Sequence, residues 1–156
     1  MVDSETFTVV SKFHQYVKPV GVASITPFCT ELTGITQDMV DTQPAWEQVM
    51  EMFVSWYTDN NLSPLNSTFV TCGLWDLKTV LPRQCQYSQL GIPGMLDVGC
   101  SGEYINIKYS FQKHTGTYAK VGIQYILHIL KRSHKTLSCF LSPGSPGYAE
   151  TTRSSI

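Results

Sequence analysis

Residues 67 to 81 read STFVTCGLWDLKTVL, and this stretch decides the fold. Its first six letters, Ser67 to Cys72, are rich in β-branched and aromatic residues and predict a short strand that ends at Gly73. A helix is predicted to follow from Trp75, although Pro82 would disrupt its interior unless that proline begins a new turn. The predicted inward-facing residues of this helix are Leu77, Val80 and Leu81. A strand followed closely by a helix is typical of layered α/β domains.

The strongest periodic signal in the chain lies upstream of that strand. Apolar residues recur at helical spacing after Pro44, a residue that suits the first turn of a helix, and they predict a helix from about 44 to 58 with one face in the core. That face consists of Ala45, Trp46, Val49, Met50, Phe53, Trp56 and Tyr57. Aromatic residues at this spacing indicate packing rather than ligand stacking.

The N-terminal segments predict strands. The segments Glu5 to Val10 and Phe13 to Val17 are β-branched and aromatic, and two residues separate them, which favours a β-hairpin. Gly and Pro between Val20 and Pro27 predict a loop. Thr36 is a candidate N-cap for a helix that carries Asp38 in its first turn.

The second half of the chain predicts further elements in order. A glycine-rich loop is expected from Gly91 to Gly102, a short strand or helix from Tyr104 to Phe111, and a last apolar helix from Val121 to Leu130. Together these elements predict one α/β or α+β domain over residues 1–132. The Ser-, Gly- and Pro-rich tail, residues 133–156, is predicted to be disordered.

Composition excludes several classes of protein. With 156 residues, 42% of them hydrophobic and 15% charged, the chain is neither fully disordered nor strongly basic. Residues 1–130 contain seven Lys and Arg against eleven Asp and Glu, a net charge of −4. No apolar run approaches the roughly 18–20 residues of a membrane span, and no signal peptide is recognisable at the N-terminus. An intracellular protein, cytoplasmic or nuclear, with no membrane contact is therefore expected.

The junction between the predicted strand and helix is the most suggestive local site. Asp76 could hold a divalent metal and Trp75 could stack on a base, because ligands gather beside the carboxyl ends of strands in α/β folds. On local grounds the alternative stays open that Asp76 caps the helix and Trp75 fills the core.

Two segments carry a resemblance to a known family. Pro27 to Asp41 (PFCTELTGITQDMVD) and Phe69 to Gln86 (FVTCGLWDLKTVLPRQCQ) closely resemble the Eri-type 3'-5' exoribonucleases of the DEDDh superfamily. Phe13 to Val17 and Tyr104 to Lys108 are similar to the same family. The resemblance implies an incomplete RNase H-like α/β fold, a mixed sheet with flanking helices whose first central strand is missing, so that strand edges are left open.

The resemblance also implies a chemistry and a substrate. The family hydrolyses RNA from a single-stranded 3' end with two cations, Mg²⁺ or Mn²⁺, held by four carboxylates, and with a histidine base. Asp76 matches one of these metal-binding, catalytic carboxylates. Trp75 and Phe28 match aromatic residues that flank the terminal base. Thr33, Gly34 and Ile35 match the segment that approaches the terminal nucleotide.

The matches are incomplete, however. Three of the four metal carboxylates and the catalytic histidine have no counterpart in this sequence, and His134 does not stand at the family spacing. The chain alone is therefore expected to be inactive and not to bind the metals by itself. Two alternatives stay open: a non-catalytic module that binds a nucleotide, RNA or a protein partner at its open strand edges, and a gene-model fragment.

Overall fold

Short helices account for most of the secondary structure. The computed structural model describes residues 1–21, 24–97 and 104–117, together with Ile126. Among these residues, two strands and a π-helical turn accompany the helices. In chain order the elements are α1 (Pro27–Thr33), α2 (Gln37–Val40), α3 (Trp46–Asp59), β1 (Phe69–Thr71), the π-turn (Asp76–Val80), α4 (Leu81–Tyr87), a 3-10 turn (Gly94–Leu96), β2 (Tyr104–Asn106) and α5 (Ile107–Thr115).

The two strands form a parallel pair. β1 pairs with β2 in the register Phe69 to Tyr104 and Thr71 to Asn106. The predicted strand from Ser67 to Cys72 is confirmed in a shorter form. The segment from Tyr104 to Phe111 was predicted to be a strand or a helix, and it contains both, because α5 begins where β2 ends. Asn106 is the N-cap of α5, and its side chain accepts a hydrogen bond from the backbone N–H of Lys108.

The predicted N-terminal β-hairpin is wrong. Only one isolated antiparallel bridge, between Val2 and Val9, forms there, and it closes a turn in which Phe7 has a positive φ of 55°. Residues 13–17 form no ladder with any described strand. Phe13 instead packs its ring on α3, with centroids 5.5 Å from Phe53 and 5.9 Å from Trp56. Packing on the helix has overridden the local preference for a strand.

The predicted helix over 44–58 is confirmed. α3 begins at Trp46, after the N-cap Ala45, whose backbone N–H donates to the side-chain oxygen of Gln48. Its inward face buries Val49, Met50 and Tyr57. Met50 packs with the buried side chains of α4 and of the 3-10 turn, and this cluster consists of Met50, Leu81, Cys85 and Leu96.

α1 was not predicted from the sequence, which assigned no helix before Thr36. Its ends nonetheless follow ordinary rules. The hydroxyl of Thr26 accepts a hydrogen bond from the N–H of Cys29, Pro27 is the first helical residue, and Gly34 closes the helix with a φ of 73°. α2 begins after Thr36 as predicted, although the side chain of Thr36 makes no capping bond.

Pro82 is the second residue of a new helical segment, α4, and so lies in a first turn, where the sequence allowed it. Because proline has no N–H to donate, an α-helix cannot run through it without losing a bond. The N–H of Leu81 reaches back five residues to the carbonyl of Asp76, which makes a π-turn, and α4 starts at Leu81. The prediction that Val80 faces inward is wrong, since 47% of its surface is exposed.

Three sequence predictions fall largely or wholly outside the described residues. They concern the end of the loop over 91–102, the helix over 121–130 and the tail over 133–156. Of the predicted last helix only Ile126 is described, and it is helical and fully buried. Among the described helices, none has the length and apolar character needed to cross a membrane.

Candidate functional site

Asp76 lies just beyond the carboxyl end of β1. The chain turns sharply there because Gly73 adopts a φ of 116° and the hydroxyl of Thr71 donates a 2.7 Å hydrogen bond to the carbonyl of Gly73. Asp76 is the first residue of the π-turn and its side chain is exposed. Its carboxylate accepts no hydrogen bond from any described group, so the helix-capping alternative does not form. The carboxylate is free to meet a ligand at this edge of the sheet.

Two large aromatic side chains, those of Trp75 and Phe28, are exposed rather than buried. Trp75 exposes 65% of its surface and Phe28, on α1, exposes 69%. Neither ring contacts another ring of the described chain. The alternative that Trp75 fills the core is therefore wrong. Their exposure leaves the faces of both rings accessible for stacking on a ligand.

Thr33, Gly34 and Ile35 form the C-terminal cap of α1. The Thr33 hydroxyl donates to the carbonyl of Cys29 over 2.7 Å, and the N–H of Ile35 donates to the Thr33 hydroxyl oxygen over 3.2 Å. The N–H of Gly34 donates to the carbonyl of Thr30. The backbone N–H groups of Gly34 and Ile35 are thus already bonded within the protein, and what this segment offers a ligand is its shape and its exposed surface.

A groove of about 920 Å³ runs beside β1. Its walls are the segment 13–20, which belongs to no helix or strand, together with α3, Phe69 of β1 and the helical stretch 76–87. Most of the lining residues are apolar, and Asp76 is one of its few charged residues. Sequence reasoning did not predict this groove. Phe13, Gln15 and Val17 are alternate residues, but residues 17–20 all line the groove, so no simple alternation in the sequence indicates it.

A buried thiol lies in the core cluster next to the groove, where Cys85 packs with the lining residues Met50, Leu81 and Leu96 without lining the groove itself. Cys85 exposes 1% of its surface, and burial raises the pKa of its thiol, an effect that the nearby indole of Trp46 only partly opposes. The indole Nε1 of Trp46 is itself buried without a hydrogen-bond partner of ordinary geometry among the described groups. Both features indicate an apolar environment around Cys85 and Trp46.

The described side chains do not by themselves fit a two-metal centre. Within residues 1–21, 24–97 and 104–117, no group of three or more His, Cys, Asp or Glu side chains is close enough to hold a metal ion. Asp76 is a suitable oxygen ligand by chemistry, but two divalent cations need several such ligands.

Known proteins are similar in sequence to this chain over most of its length. A model of the exonuclease family RNase_T matches residues 1–136. ERI1 exoribonuclease 3 from human and from cattle is 46% identical over 123 residues, which cover 78% of this chain and 35% of the relative. Mouse 3'-5' exoribonuclease 1 is 33% identical over 122 residues, again 78% of this chain and 33% of the relative. The chain thus spans about a third of the length of these relatives.

Solved structures agree with the sequence relatives. The nuclease domain of 3'hExo, a DEDDh family member bound to rAMP, superposes with a TM-score of 0.67 at 31% identity, over 74% of this chain and 56% of that one. Cell-death related nuclease 4 (CRN-4) gives a TM-score of 0.64 at 25% identity, over 80% of this chain and 41% of that one. The expected incomplete α/β fold of the RNase H-like exonucleases is confirmed. The chain belongs to the RNase_T exonuclease family and, within it, to the Eri-type 3'-5' exoribonucleases.

Proposed function

We propose that this chain forms the base-gripping part of a 3'-5' exoribonuclease site and binds the 3'-terminal nucleotide of single-stranded RNA. The observation that carries the proposal is the exposure of Trp75 immediately before the exposed carboxylate of Asp76, at the carboxyl end of β1. An exposed indole offers a stacking surface to any base. The neighbouring carboxylate is a ligand for Mg²⁺ or Mn²⁺ when further oxygen ligands are supplied.

Phe28 is the second aromatic residue of the proposed grip. It lies on the exposed face of α1, and the segment Thr33 to Ile35 closes the same helix. The solved relatives support the choice of ligand, since the nuclease domain of 3'hExo is bound to rAMP and a 3'-exonuclease recognises the 3' end of the histone mRNA stem-loop.

Hydrolysis is not expected of this chain alone. One carboxylate, Asp76, cannot hold the two cations that in-line displacement at phosphorus requires. The charge of residues 1–130 also weakens binding, because phosphate contacts are normally made by Lys and Arg and this part of the chain has a net charge of −4. Weak, stacking-dominated binding of a terminal nucleotide is the expected behaviour.

A labelled single-stranded RNA tests both halves of the proposal. In Mg²⁺ or Mn²⁺ the RNA should stay at full length, and stepwise shortening from its 3' end would overturn the claim of inactivity. Fluorescence anisotropy should then detect binding to RNA with a 3' hydroxyl. Equal binding to RNA blocked by a 3' phosphate would argue against recognition of the end.

Substitution of the two aromatic residues tests whether they form the nucleotide-binding site. Trp75→Ala and Phe28→Ala should each weaken binding by about tenfold, since loss of one stacked base contact costs about 1–3 kcal/mol. Leu65→Ala is the matched control, because Leu65 is 99% exposed and apolar but lies in the loop after α3. An equal loss in all three variants would show that the aromatic residues do not form a specific site.

A second candidate function is a protein-binding module that uses an open strand edge. Among the described residues β1 pairs with β2 alone, and this unpaired second edge is the observation that favours it. This candidate does not require catalysis or RNA, and it therefore survives if the RNA experiments fail.

A further inference from the structure

We propose that β2 and α5 form a basic surface that contacts the phosphate backbone of single-stranded RNA on the 5' side of its last nucleotide. The inference rests on the proposed function, because it concerns the same RNA, but it assigns a second surface with a different chemistry. Stacking on Trp75 grips one base. Contacts between lysines and phosphates hold the nucleotides that precede it.

The charges of this chain are divided between two stretches of sequence. Residues 1–103 contain four Lys and Arg against eleven Asp and Glu, whereas residues 104–149 contain six Lys and Arg and neither Asp nor Glu. Their formal net charges are therefore −7 and +6. Binding of a polyanion needs a local basic surface rather than a basic total. The described part of the basic stretch is residues 104–117, which comprise β2, α5 and the two residues after α5.

Two lysines on this surface lie over tyrosine rings. Nζ of Lys78, from the π-turn, is 5.9 Å from the ring centroid of Tyr104, the first residue of β2. Nζ of Lys113 is 5.4 Å from the ring centroid of Tyr109, and both residues belong to α5. Both lysines are exposed, and a ring beneath an ammonium group restricts where its charge can lie. Cations beside aromatic rings are typical of surfaces that follow a nucleic-acid backbone.

The basic surface begins at the edge of the sheet that carries Trp75 and Asp76. β1 and β2 run parallel, and their last residues, Thr71 and Asn106, are paired. Neighbouring strands lie about 4.8 Å apart, so α5 begins one strand spacing from the end of β1. Trp75 follows Thr71 by only four residues. An RNA strand whose last base stacks on Trp75 therefore has α5 within reach.

The two lysine–tyrosine pairs set the length of RNA that the surface covers. Tyr104 and Tyr109 are five residues apart, and five residues of chain span at most about 18 Å. A stacked strand advances about 3.4 Å per nucleotide, so about five nucleotides cover this distance. With the nucleotide at Trp75, the expected site size is about six nucleotides.

A purely structural role for Lys113 makes a different prediction. Lys113 and His114 lie in the last turn of α5, where a cation interacts favourably with the helix dipole. Loss of that interaction lowers the melting temperature but leaves the salt dependence of RNA binding unaltered. The salt dependence therefore separates a phosphate contact from a structural role.

The experiment measures binding of 5'-fluorescein-labelled oligouridylates, two to twelve nucleotides long, to the intact 156-residue chain without added divalent cations. Affinity should rise with length up to about six nucleotides and then level off. A titration with KCl gives the slope of log affinity against log salt. Lys113→Gln and Lys78→Gln should each make that slope shallower by about 0.7 and weaken binding of the twelve-mer by about threefold or more, because one phosphate contact is lost.

Lys12→Gln is the matched control. Lys12 is exposed and carries the same charge, but it lies in the N-terminal segment, so its substitution should leave the affinity and the slope unaltered. Lys113→Arg keeps the charge and should keep the slope of the unaltered chain. Calorimetry with AMP should give the same affinity for the unaltered chain and for both Gln variants at Lys78 and Lys113, because AMP occupies only the grip.

Three outcomes would overturn the inference. Slopes that do not change in either Gln variant would remove the phosphate contacts, and a lower melting temperature with the original slope would leave Lys113 a structural role only. Equally tight binding of a capped polyglutamate twelve-mer would assign the surface to an acidic protein segment. Absence of AMP binding would instead refute the aromatic grip, and salt-dependent binding of the twelve-mer would still support the basic surface.

Discussion

The indole N–H of Trp56 donates a 2.9 Å hydrogen bond to the hydroxyl of Ser11, which lies 45 residues earlier in the chain. This bond ties the N-terminal segment to α3. Ser11→Ala should lower the free energy of unfolding by about 1 kcal/mol, because the indole N–H then loses its partner in a partly buried position. Urea unfolding measures this change.

A double-mutant cycle isolates the Trp56–Ser11 bond. Trp56→Phe removes the donor along with some packing, and the cost of Ser11→Ala should nearly vanish in that background. If Ser11→Ala costs the same in both backgrounds, the hydroxyl stabilises the chain in some other way.

Phe53 lies at the centre of the aromatic cluster that packs against Phe13. Its ring lies 5.5 Å from Phe13, 5.8 Å from Trp56 and 6.3 Å from Tyr57, centroid to centroid. Phe53→Ala should cost about 2–3 kcal/mol, somewhat less than for a fully buried phenylalanine. Met52→Ala, at a 43% exposed neighbour on the same helix, should cost under about 1 kcal/mol. Similar costs for the two variants would contradict a packing role for Phe53.

Gly21 is a position where only glycine is free of strain. Its φ is 78°, and a Cβ there would lie 2.3 Å from the hydroxyl oxygen of Tyr87. The tyrosine tip can move aside, but the left-handed backbone still costs an alanine about 1–2 kcal/mol. Gly21→Ala should therefore lower the melting temperature, whereas Gly91→Ala, with open space and no positive φ, should not. Equal melting of the two variants would contradict this conformation at Gly21.

The N-terminal turn should loosen in acid. The carboxylate of Asp3 accepts hydrogen bonds from the backbone N–H groups of Thr6 and Glu5 and from the Thr6 hydroxyl, and the Thr6 bonds chiefly hold the pKa of Asp3 below its usual value. The stabilisation of the turn is thus fully present above the unfolded pKa, near ~3.9, and is lost as pH falls through the lowered folded value. The amide resonance of Thr6 should shift over that range, and in Asp3→Asn it should not.

Cys85 should resist alkylation in the folded chain. Burial raises the pKa of its thiol, so that little thiolate, the reactive form, is present at neutral pH. Cys29 is exposed and should react with a maleimide before Cys85 does. Mass spectrometry of digested protein measures both sites, and Cys29→Ser serves as the control. Rapid labelling of Cys85 without denaturant would mean that the core opens readily.

The periodic parts of the fold could be predicted from the sequence. α3 follows from apolar residues at helical spacing, and β1 from a β-branched run that ends in glycine. The capping pattern around Pro27 and Gly34 also contained α1, but its apolar residues Phe28 and Leu32 are exposed, so it lacked the buried stripe by which helices are usually recognised. The behaviour of residues 13–17 could not be predicted, because it depends on contacts with Phe53 and Trp56 some forty residues away.

The candidate site, like the fold, could be predicted from the sequence only in part. The position of Asp76 after a strand followed from its local sequence and from the resemblance. The exposure of Trp75 did not follow, because a tryptophan beside a helix start is as often buried. Four separate segments of the chain line the groove, and no local sequence pattern predicts that they come together.

The π-turn has a consequence for how this protein could change. Its ring from Asp76 to Leu81 contains one residue more than an α-helical turn needs. Deleting Thr79 would let the turn close with ordinary helical geometry and rotate the carboxylate by about 100° relative to Cys85 and the core beneath it. A single codon loss is therefore enough to re-aim the acidic side chain while the hydrophobic anchor of the helix stays in place.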